Sequence, residues 1–399
     1  MKIAILGFGT VGSGVFDVVN MNASLIEKRA GKPVEVKYVL DLRDFPGNPV
    51  EKVLVHDVNI ILEDPEVEIV AEVMGGMEPA YSFTKQALLK GKSVCTSNKE
   101  LVAAHGAELI EIAKENGCSY LFEASVGGGI PILRSLNEAL TADDILEIKG
   151  IVNGTTNYIL TRMAEAGLDF DVALKEAQDK GFAERNPAAD IEGIDAARKT
   201  AILASLANGG QISCDDIYTE GITAVTADDI SYAKKLNAKI KLFSYTKRDN
   251  GKVFAFVAPF MVRSECQLYS VDGVFNAILV TGNAVGDVMF YGSGAGKLPT
   301  ASAVAGDIVE LAKCAGSHID IVWSQERFRL TPMDSMESRF FVRVKNDEAD
   351  EAKKLFGVTE DAGSLVSGEC AFITEKMSEA DFAAKAEKLQ LVGRIRFNG

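Results

Sequence analysis

The residues best suited to do chemistry lie in one short stretch near the middle of the chain. Glu184, Asp190 and Asp195 are followed by Lys199 within sixteen positions. Asp195 and Lys199 are four residues apart on a predicted helix, so their side chains share one face. Carboxylates can hold an amino group and a lysine can move a hydroxyl proton, which suits a zwitterionic substrate. A surface ion pair worth a few tenths of a kcal/mol explains the same spacing, and both interpretations stay open.

A second constellation lies at the start of the chain, where a glycine-rich loop follows an apolar run. Residues 2–6 read KIAIL, and the next six are Gly7, Phe8, Gly9, Thr10, Val11 and Gly12. A G-x-G-x-x-G motif between a strand and a helix is typical of a dinucleotide-binding loop. Its first glycine makes a tight turn, the second lets the backbone approach a pyrophosphate, and the third allows close helix–strand packing. We therefore predict dinucleotide binding here.

The end of the second predicted strand bears on the choice between NAD and NADP. Asp41, Arg43 and Asp44 lie together there. An acidic residue accepts a hydrogen bond from the ribose 2′-hydroxyl of NAD, whereas an arginine favours the 2′-phosphate of NADP. We favour NADP through Arg43, and the use of NAD stays open.

A lysine follows another predicted strand, residues 93–97. The sequence there is Thr96, Ser97, Asn98 and Lys99. Ligands on open α/β sheets bind outside the carboxyl ends of the strands. Lys99 is therefore a candidate to lie where a nicotinamide and its substrate meet, with a solvated loop lysine as the alternative.

The elements of the first third of the chain are those of an α/β domain. Over residues 1–130, strands alternate with helices, which predicts a Rossmann-type domain with a parallel sheet. A return segment near residues 291–315 is expected to join it. Residues 131–320 are predicted to form an α+β domain for substrate binding and dimerisation, beginning with a helix over 130–142 and a strand over 144–154.

The later elements include a hairpin and a separate C-terminal motif. The pair Asn250-Gly251 between two apolar runs predicts a hairpin turn. Residues 335–399 have the order βαββαβ of a ferredoxin-like motif, with one strand expected near 364–368.

Composition excludes several other classes of protein. The 399 residues are 47% hydrophobic and 25% charged, as in folded soluble proteins. A net charge of −15 without a basic run argues against nucleic acid or a membrane surface as a partner. There is no C-x-x-C pair, no histidine cluster and no apolar run of the roughly 20 residues that a membrane span needs. The scattered cysteines favour a reducing, cytoplasmic location.

Five motifs together resemble one enzyme family. They are TSNKE (96–100), EASVGGGIPIL (123–133), VNGTTNYIL (152–160), GFAE (181–184) and IDAARK (194–199). On these motifs the chain resembles homoserine dehydrogenase, from residue 1 to about residue 315. The resemblance implies NAD(P)H-dependent reduction of L-aspartate 4-semialdehyde to L-homoserine, on the route to threonine and methionine. Because no kinase-like segment precedes residue 1, we expect the monofunctional form.

The resemblance also implies roles for individual residues. Lys199 would be the main proton-transfer group, and Lys99 a second lysine near the reacting oxygen. Glu184 and Asp195 would hold the substrate amino group and hydroxyl, with Asp190 close by. Two ammonium groups beside a developing alkoxide would stabilise its negative charge.

Further cofactor and ion ligands are implied in the same way. Besides the glycine loop and Lys99, the cofactor would contact Gly75, Ser97, Gly154 and Gly296. Glu123 and the carbonyls of Val126, Gly128 and Ile130 match the family's monovalent cation site, usually assigned to sodium. One carboxylate and several carbonyls suit a hard cation, which would be structural.

The C-terminal motif resembles an ACT regulatory domain with one departure. It lacks the acidic-x-Pro-Gly segment at which those domains bind an amino acid. We therefore expect packing or dimerisation from this tail rather than threonine feedback. The resemblance also implies a homodimer or a higher homo-oligomer, formed through the sheet of the second domain.

Two rival functions remain at this stage. One is an NAD(P) enzyme of the same architecture that acts on another amino-acid semialdehyde or oxo acid, and a substrate panel would decide. The other is a non-catalytic amino-acid sensor built on the tail. The IDAARK and GFAE segments argue against the first, and the paired Lys199 and Lys99 argue against the second.

Overall fold

A computed structural model describes residues 1–398, and these form two compact units. The first unit comprises Met1–Asp143, Ala201–Cys214 and Gly292–Phe328; the second comprises Asp144–Thr200, Asp215–Tyr291 and the chain from Arg329 onward. The stretch predicted as a separate domain over 335–399 thus lies within the second unit. No helix among residues 1–398 is both long enough and apolar enough to cross a membrane.

The strands and helices follow one another along the whole chain. The strands are β1 (Lys2–Leu6), β2 (Glu35–Leu40), β3 (Leu54–Val55), β4 (Val67–Glu72), β5 (Ser93–Thr96), β6 (Tyr120–Leu121), β7 (Ile145–Ile151), β8 (Gly210–Gln211), β9 (Tyr218–Thr219), β10 (Ala238–Asp249), β11 (Lys252–Arg263), β12 (Phe275–Gly282), β13 (Gly286–Ser293), β14 (Ser324–Arg327), β15 (Glu337–Lys345), β16 (Glu360–Gly363), β17 (Glu369–Ile373), β18 (Met377–Ser378) and β19 (Leu391–Asn398). The helices are α1 (Thr10–Met21), α2 (Ala23–Ala30), α3 (Val58–Leu62), α4 (Ala80–Leu89), α5 (Lys99–Glu115), α6 (Gly154–Ala166), α7 (Phe170–Asp179), α8 (Ala188–Ile191), α9 (Ile194–Asn208), α10 (Ala227–Lys235), α11 (Lys297–Lys313), α12 (Ala349–Phe356) and α13 (Glu379–Ala386).

A parallel sheet forms the centre of the first unit. Its strand order is β3–β2–β1–β4–β5–β6, the arrangement of dinucleotide-binding α/β domains. The central strand β1 is buried on both faces, since its residues 3–6 are all fully buried. Its Ile3 and Ile5 form one core with Val15 of α1 and Ala301 of α11. The predicted Rossmann-type domain with a parallel sheet is confirmed.

An 11-stranded sheet dominates the second unit among the described residues. Its main path runs β13–β12–β7–β10–β11–β19–β15–β17–β16. The hairpin of β10 and β11 turns at Asn250 and Gly251, both at positive φ, as this dipeptide predicts. Phenylalanines on the hairpin, including Phe243, Phe256 and Phe260, form the core of this part of the unit.

The C-terminal elements continue the same sheet. The order β19–β15–β17–β16 is antiparallel throughout, with α12 and α13 in the two crossovers. β19 also pairs in parallel with β11, Phe260 facing Arg396. The strand expected near 364–368 lies four residues earlier, as β16, because residues 364–368 form the turn between β16 and β17. Gly363 and Gly368 both take positive φ there, which favours a turn.

The helix predicted over 130–142 is also wrong in extent. Only residues 133–139 are helical, and Ser135–Ala139 within them is π-helical. The three glycines that end at Gly129, together with Pro131, delay the start of the helix. Glu123 fixes this start because its carboxylate oxygens accept the backbone N–H groups of Leu133 and Arg134.

Candidate active site

Lys199 is the centre of a buried polar cluster in the second unit. Its Nζ donates to Asp195 Oδ2 and to the carbonyl oxygen of Val152, both at 2.7 Å. α9 places the two side chains on one face, as the four-residue spacing predicts. Only 8% of Lys199 and 4% of Asp195 is exposed, so this is not the surface ion pair that the spacing also allowed.

Asn153 joins a second acid to this pair. Its Nδ2 donates to Asp190 Oδ1 at 2.7 Å and to Asp195 Oδ2 at 2.9 Å. Its Oδ1 accepts the N–H of Thr156 and thereby caps α6. Together Asn153, Asp190, Asp195 and Lys199 form a hydrogen-bonded group, the Lys199 cluster. Sequence reasoning did not single out Asn153, although an asparagine between a strand and a helix is an N-cap signal.

Glu184 differs from the Lys199 cluster in being exposed to solvent. It lies in the turn after α7, where the N–H groups of Phe182 and Ala183 donate to the carbonyl of Ala177. Thr155 Oγ1 donates to the carbonyl oxygen of Phe182 at 2.6 Å. The GFAE turn is therefore held against the start of α6, with the Glu184 carboxylate accessible to a cationic ligand.

The glycine loop has the geometry that a dinucleotide needs. A Cβ at Gly12 would lie 1.9 Å from the carbonyl oxygen of Gly7, whereas a Cβ at Gly9 would meet no atom within 4 Å. A cavity of about 610 Å³ lies beside the loop, and Asp41 and Arg43 line it. Open space at a helix N-terminus is the environment in which a pyrophosphate binds. The residues present thus fit a dinucleotide.

Asp41 connects the end of β2 to this loop. Its Oδ2 accepts the N–H of Phe8 at 2.8 Å, and Arg43 donates to both of its oxygens at 2.9 Å. The Arg43 guanidinium, together with these N–H bonds, holds the pKa of Asp41 well below its usual range. The Arg43 side chain remains 63% exposed at the edge of the cavity.

A buried glutamate, which sequence reasoning missed, organises the ends of β4 and β5. Glu72 is fully buried; it accepts the hydroxyl of Thr96 at 2.6 Å and the N–H of Met74 at 2.8 Å. Burial raises the pKa of Glu72. Asn98 donates to the carbonyl of Gly76 and caps α5, whose first residue is Lys99. The sequence signal for this residue was a glutamate at the end of an apolar strand.

The remaining predicted cofactor residues lie in both units. Three of them are in the first unit. Gly75 follows β4 and has φ of 79°, and the N–H of Ser97 donates to the carbonyl of Glu72. Gly296 is the N-cap residue of α11. Gly154 is in the second unit, and a Cβ there would lie 2.7 Å from the carbonyl oxygen of Val274. The loop of Gly154 is therefore closely packed.

The predicted cation ligands lie in the first unit, between β6 and β7. The N–H of Glu123 donates to Asp307 Oδ2 at 2.9 Å, and Arg134 Nη2 donates to Asp307 Oδ1 at 2.6 Å. The Arg134 guanidinium thus pairs with Asp307, whereas the Glu123 carboxylate accepts only backbone N–H groups among these contacts. Burial raises the pKa of both carboxyl groups, that of Asp307 to about 7. A buried carboxylate beside backbone oxygen donors has the chemistry that fits a monovalent cation.

Backbone carbonyls would have to complete such a site. Within residues 1–398, no group of three or more His, Cys, Asp or Glu side chains could hold a metal ion. Val126 is fully buried, Gly128 takes positive φ, and the carbonyl of Ile130 already accepts the N–H of Ile132 at 2.9 Å.

Comparison with known proteins decides the family. A family model described as homoserine dehydrogenase matches residues 131–309, and one described as the homoserine dehydrogenase NAD-binding domain matches residues 7–123. The homoserine dehydrogenase of Bacillus subtilis is 39% identical, over 96% of this chain and 93% of its own. The chain belongs to the homoserine dehydrogenase family.

Solved structures agree with this assignment. A homoserine dehydrogenase from Thiobacillus denitrificans is 33% identical, with a TM-score of 0.93 over 100% of this chain and 98% of its own. A mutant of a hyperthermophilic archaeal homoserine dehydrogenase, in complex with NADPH, is 30% identical, with a TM-score of 0.65 over 78% of this chain and 98% of its own.

The family membership fixes the reaction. As a homoserine dehydrogenase, the protein is an NAD(P)-dependent oxidoreductase that interconverts L-aspartate 4-semialdehyde and L-homoserine. A nicotinamide cofactor and a small-molecule substrate follow from this, as the sequence motifs predict. Neither the rival substrate nor the sensor function is needed to explain the chain.

Proposed function

We propose that Lys199 is the main proton-transfer group of this homoserine dehydrogenase, and that Glu184 and Asp195 hold the amino group and hydroxyl of the substrate, with Asp190 close by. The observation that carries the proposal is the buried 2.7 Å hydrogen bond between Lys199 Nζ and Asp195 Oδ2. A charged pair is costly to bury unless it is well bonded, and buried charges of this kind concentrate at functional sites.

The chemistry of each residue follows from its position. The nicotinamide supplies or accepts the hydride when it is bound. During reduction the substrate oxygen gains negative charge, which the Lys199 ammonium stabilises before donating its proton. Asp195 and the carbonyl of Val152 orient the ammonium, and Asn153 orients the two carboxylates. Lys99, at the carboxyl end of β5, is proposed as the second catalytic lysine.

For the cofactor, we favour NADP(H) bound by residues 7–12, Gly75, Ser97, Gly154 and Gly296. The exposed Arg43 guanidinium at the cavity supports a ligand with a 2′-phosphate. The NADPH complex of the archaeal relative agrees with this preference.

Replacing Arg43 tests the cofactor preference. In Arg43→Ala, we expect the KM for NADPH to rise about tenfold, the size of one lost charge-assisted contact. The KM for NADH should stay constant or fall, because Asp41 can then accept the ribose hydroxyl. Steady-state kinetics with Arg29→Ala, an exposed arginine on α2, provide the control. An equal loss with both cofactors would contradict the preference.

The proposal also includes a cation site and a C-terminal domain. A sodium-sized cation would be held by Glu123 with the carbonyls of Val126, Gly128 and Ile130, which the burial of the Glu123 carboxylate supports. Residues 335–399 are proposed to form an ACT-like domain; their antiparallel order β19–β15–β17–β16 supports it.

A homodimer through the sheet of the second unit is proposed as well. The edge strand β13 supports it, because Met289 and Tyr291 are 43% and 55% exposed. The domain limits at residues 130 and 320 and the cytoplasmic location stay predictions.

Replacing Lys199 tests the catalytic assignment. Lys199→Met should lower kcat/KM about 10²- to 10⁴-fold in both directions, the usual contribution of an acid–base group. NADPH binding, followed by its fluorescence, should persist. Lys180→Met is the matched control, because Lys180 makes an ion pair with Glu176 at the surface. Turnover within tenfold of the unmodified enzyme would overturn the assignment.

A further inference from the structure

A charged cluster around the buried Arg396 joins the C-terminal strand β19 to the short strand β9. The Glu220 cluster consists of Tyr218, Glu220, Glu379, Arg394 and Arg396. Arg396 is 1% exposed; it donates to Glu220 Oε2 at 2.9 Å and to Glu379 Oε1 at 2.6 Å. Arg394 Nη2 donates to Glu220 Oε1 at 2.6 Å, and the Tyr218 hydroxyl donates to the same oxygen.

The position of Glu220 is determined by these partners. Two guanidinium groups bind its two oxygens, and the Arg396 guanidinium also lies over the rings of Tyr218 and Phe256, at 5.5 and 5.8 Å. Removing one member of such a cluster leaves another charge buried without compensation. The position of the Glu220 carboxylate therefore depends on strand β19, where Arg396 lies 176 residues later in the sequence.

The residues after Glu220 contact the backbone just before α9. The N–H of Ile222 donates to the carbonyl oxygen of Ile191 at 2.8 Å. A Cβ at Gly221 would lie 2.1 Å from that same oxygen, so no side chain fits between the two segments. The backbone of residues 220–222 is thus in direct contact with the end of α8.

A second contact reaches the residue that precedes α9. Gly193 has φ of 85°, and a Cβ there would lie 2.9 Å from Thr219 Cγ2. The carbonyl of Gly193 accepts the N–H of Ala197 in the first turn of α9, and its N–H donates to the carbonyl of Asp190. A displacement of β9 is therefore transmitted to Asp190 and to the turn that carries Asp195.

We propose that Glu220 is a positioning residue for the Lys199 cluster, and that the C-terminal strand holds Glu220 in place through Arg394 and Arg396. The inference rests on the proposed roles of Asp195 and Lys199. It assigns the C-terminal segment a direct part in building the active site, independent of any effector.

The second unit contains a similar arginine cluster that serves as a matched control. Arg343 is 2% exposed and donates to Glu369 Oε2 at 2.6 and 3.0 Å and to Asp229 Oδ1 at 2.9 Å. These partners lie on β17 and α10. Glu369→Gln therefore weakens the same kind of arginine–carboxylate contact as Glu220→Gln. It also involves the C-terminal segment, but it lies away from Glu220.

The test compares Glu220→Gln with Glu369→Gln in the full-length enzyme. Both should unfold at a lower temperature than the unmodified enzyme. Glu220→Gln should also raise the KM for L-homoserine and lower kcat/KM for it about 10- to 100-fold, the size expected when catalytic groups are misplaced. Its KM for NADP⁺ should change less than about twofold, since binding of the dinucleotide by the first unit is not altered. Glu369→Gln should keep its kcat/KM within about threefold.

The outcomes separate this inference from the proposed site. Equal kcat/KM in the two variants, with Lys199→Met inactive, overturns the positioning role and leaves the site intact. An active Lys199→Met enzyme overturns both. If Glu220→Gln does not fold, Arg394→Gln carries the test, because its side chain is 30% exposed and Arg396 keeps its own partners. A selective rise in the KM for L-homoserine is then the expected result, and an unchanged KM refutes the inference.

Discussion

At the scale of single residues, the site depends on a side chain that both donates and accepts hydrogen bonds. Asn153 uses its oxygen to cap α6 and its amide nitrogen to hold Asp190 and Asp195. An asparagine can do both because it is a donor and an acceptor at once. The same residue thus fixes a helix end and the spacing of two carboxylates, which would repel each other without a shared donor.

Replacing Asn153 by serine separates these two functions. The hydroxyl still accepts a hydrogen bond at the N-cap, so the unfolding temperature should fall by only a few degrees. The amide donor is lost, and we expect kcat/KM for L-homoserine to fall about tenfold or more, as one hydrogen bond to a charged group is worth about 1.5–3 kcal/mol. Asn48→Ser, at a surface N-cap, is the control. An unaltered kcat/KM would show that the amide does not matter.

At the scale of elements, the loop between β1 and α1 has two glycines with opposite requirements. Gly12 must be a glycine because the helix packs directly on the loop: the carbonyl oxygen of Gly7 occupies the position of a Cβ. Gly9 has open space around it and an ordinary φ of −81°. The fold therefore does not require a glycine at position 9, and we propose that its small size lets the dinucleotide approach the backbone.

Alanine at each position should therefore have a different effect. Gly12→Ala should destabilise the first unit by about 1–3 kcal/mol, the cost of overpacking, and it should be detected by thermal unfolding. Gly9→Ala should unfold at the temperature of the unmodified enzyme but bind NADPH at least about tenfold more weakly, because its methyl group enters the space of the pyrophosphate. The reverse pattern of stability and binding would contradict this account of the loop.

At the scale of the whole molecule, stability and pH are linked through buried carboxylates. Burial alone would raise the pKa of Glu220, but the charge of Arg396 and its hydrogen bonds lower it to about 2. A carboxylate whose pKa is lower in the folded state stabilises the protein fully above its unfolded pKa of 4.5. This stabilisation is lost as the pH falls from there toward 2.

The free energy of unfolding of Glu220→Gln should therefore converge with that of the unmodified enzyme in acid. At pH 6–7 we expect the variant to be less stable by about 3 kcal/mol. The difference should be constant down to about pH 5 and should shrink below pH 4.5. Urea unfolding followed by circular dichroism at several pH values measures it. A difference that does not change with pH would assign the effect of the substitution to packing instead.

The sequence by itself determined the parts of this protein that depend on local spacing. The glycine loop, the i, i+4 pair of Asp195 and Lys199, the hairpin at Asn250 and the alternation of strands and helices are all short-range patterns, and they led to the α/β fold. The family was indicated by the resemblance of five sequence motifs. Local periodicity failed where long-range or conformational constraints dominate, as in the helix expected over 130–142.

Only the tertiary structure decided which distant groups meet. Glu72 bonds to Thr96 on the neighbouring strand, Asn153 reaches Asp195 across 42 residues, and Arg396 reaches Glu220 across 176. Sequence spacing cannot predict these pairs, because strand order and burial bring the residues together. Buried polar groups must find partners wherever the fold brings them, and those partners hold the proposed catalytic side chains in position.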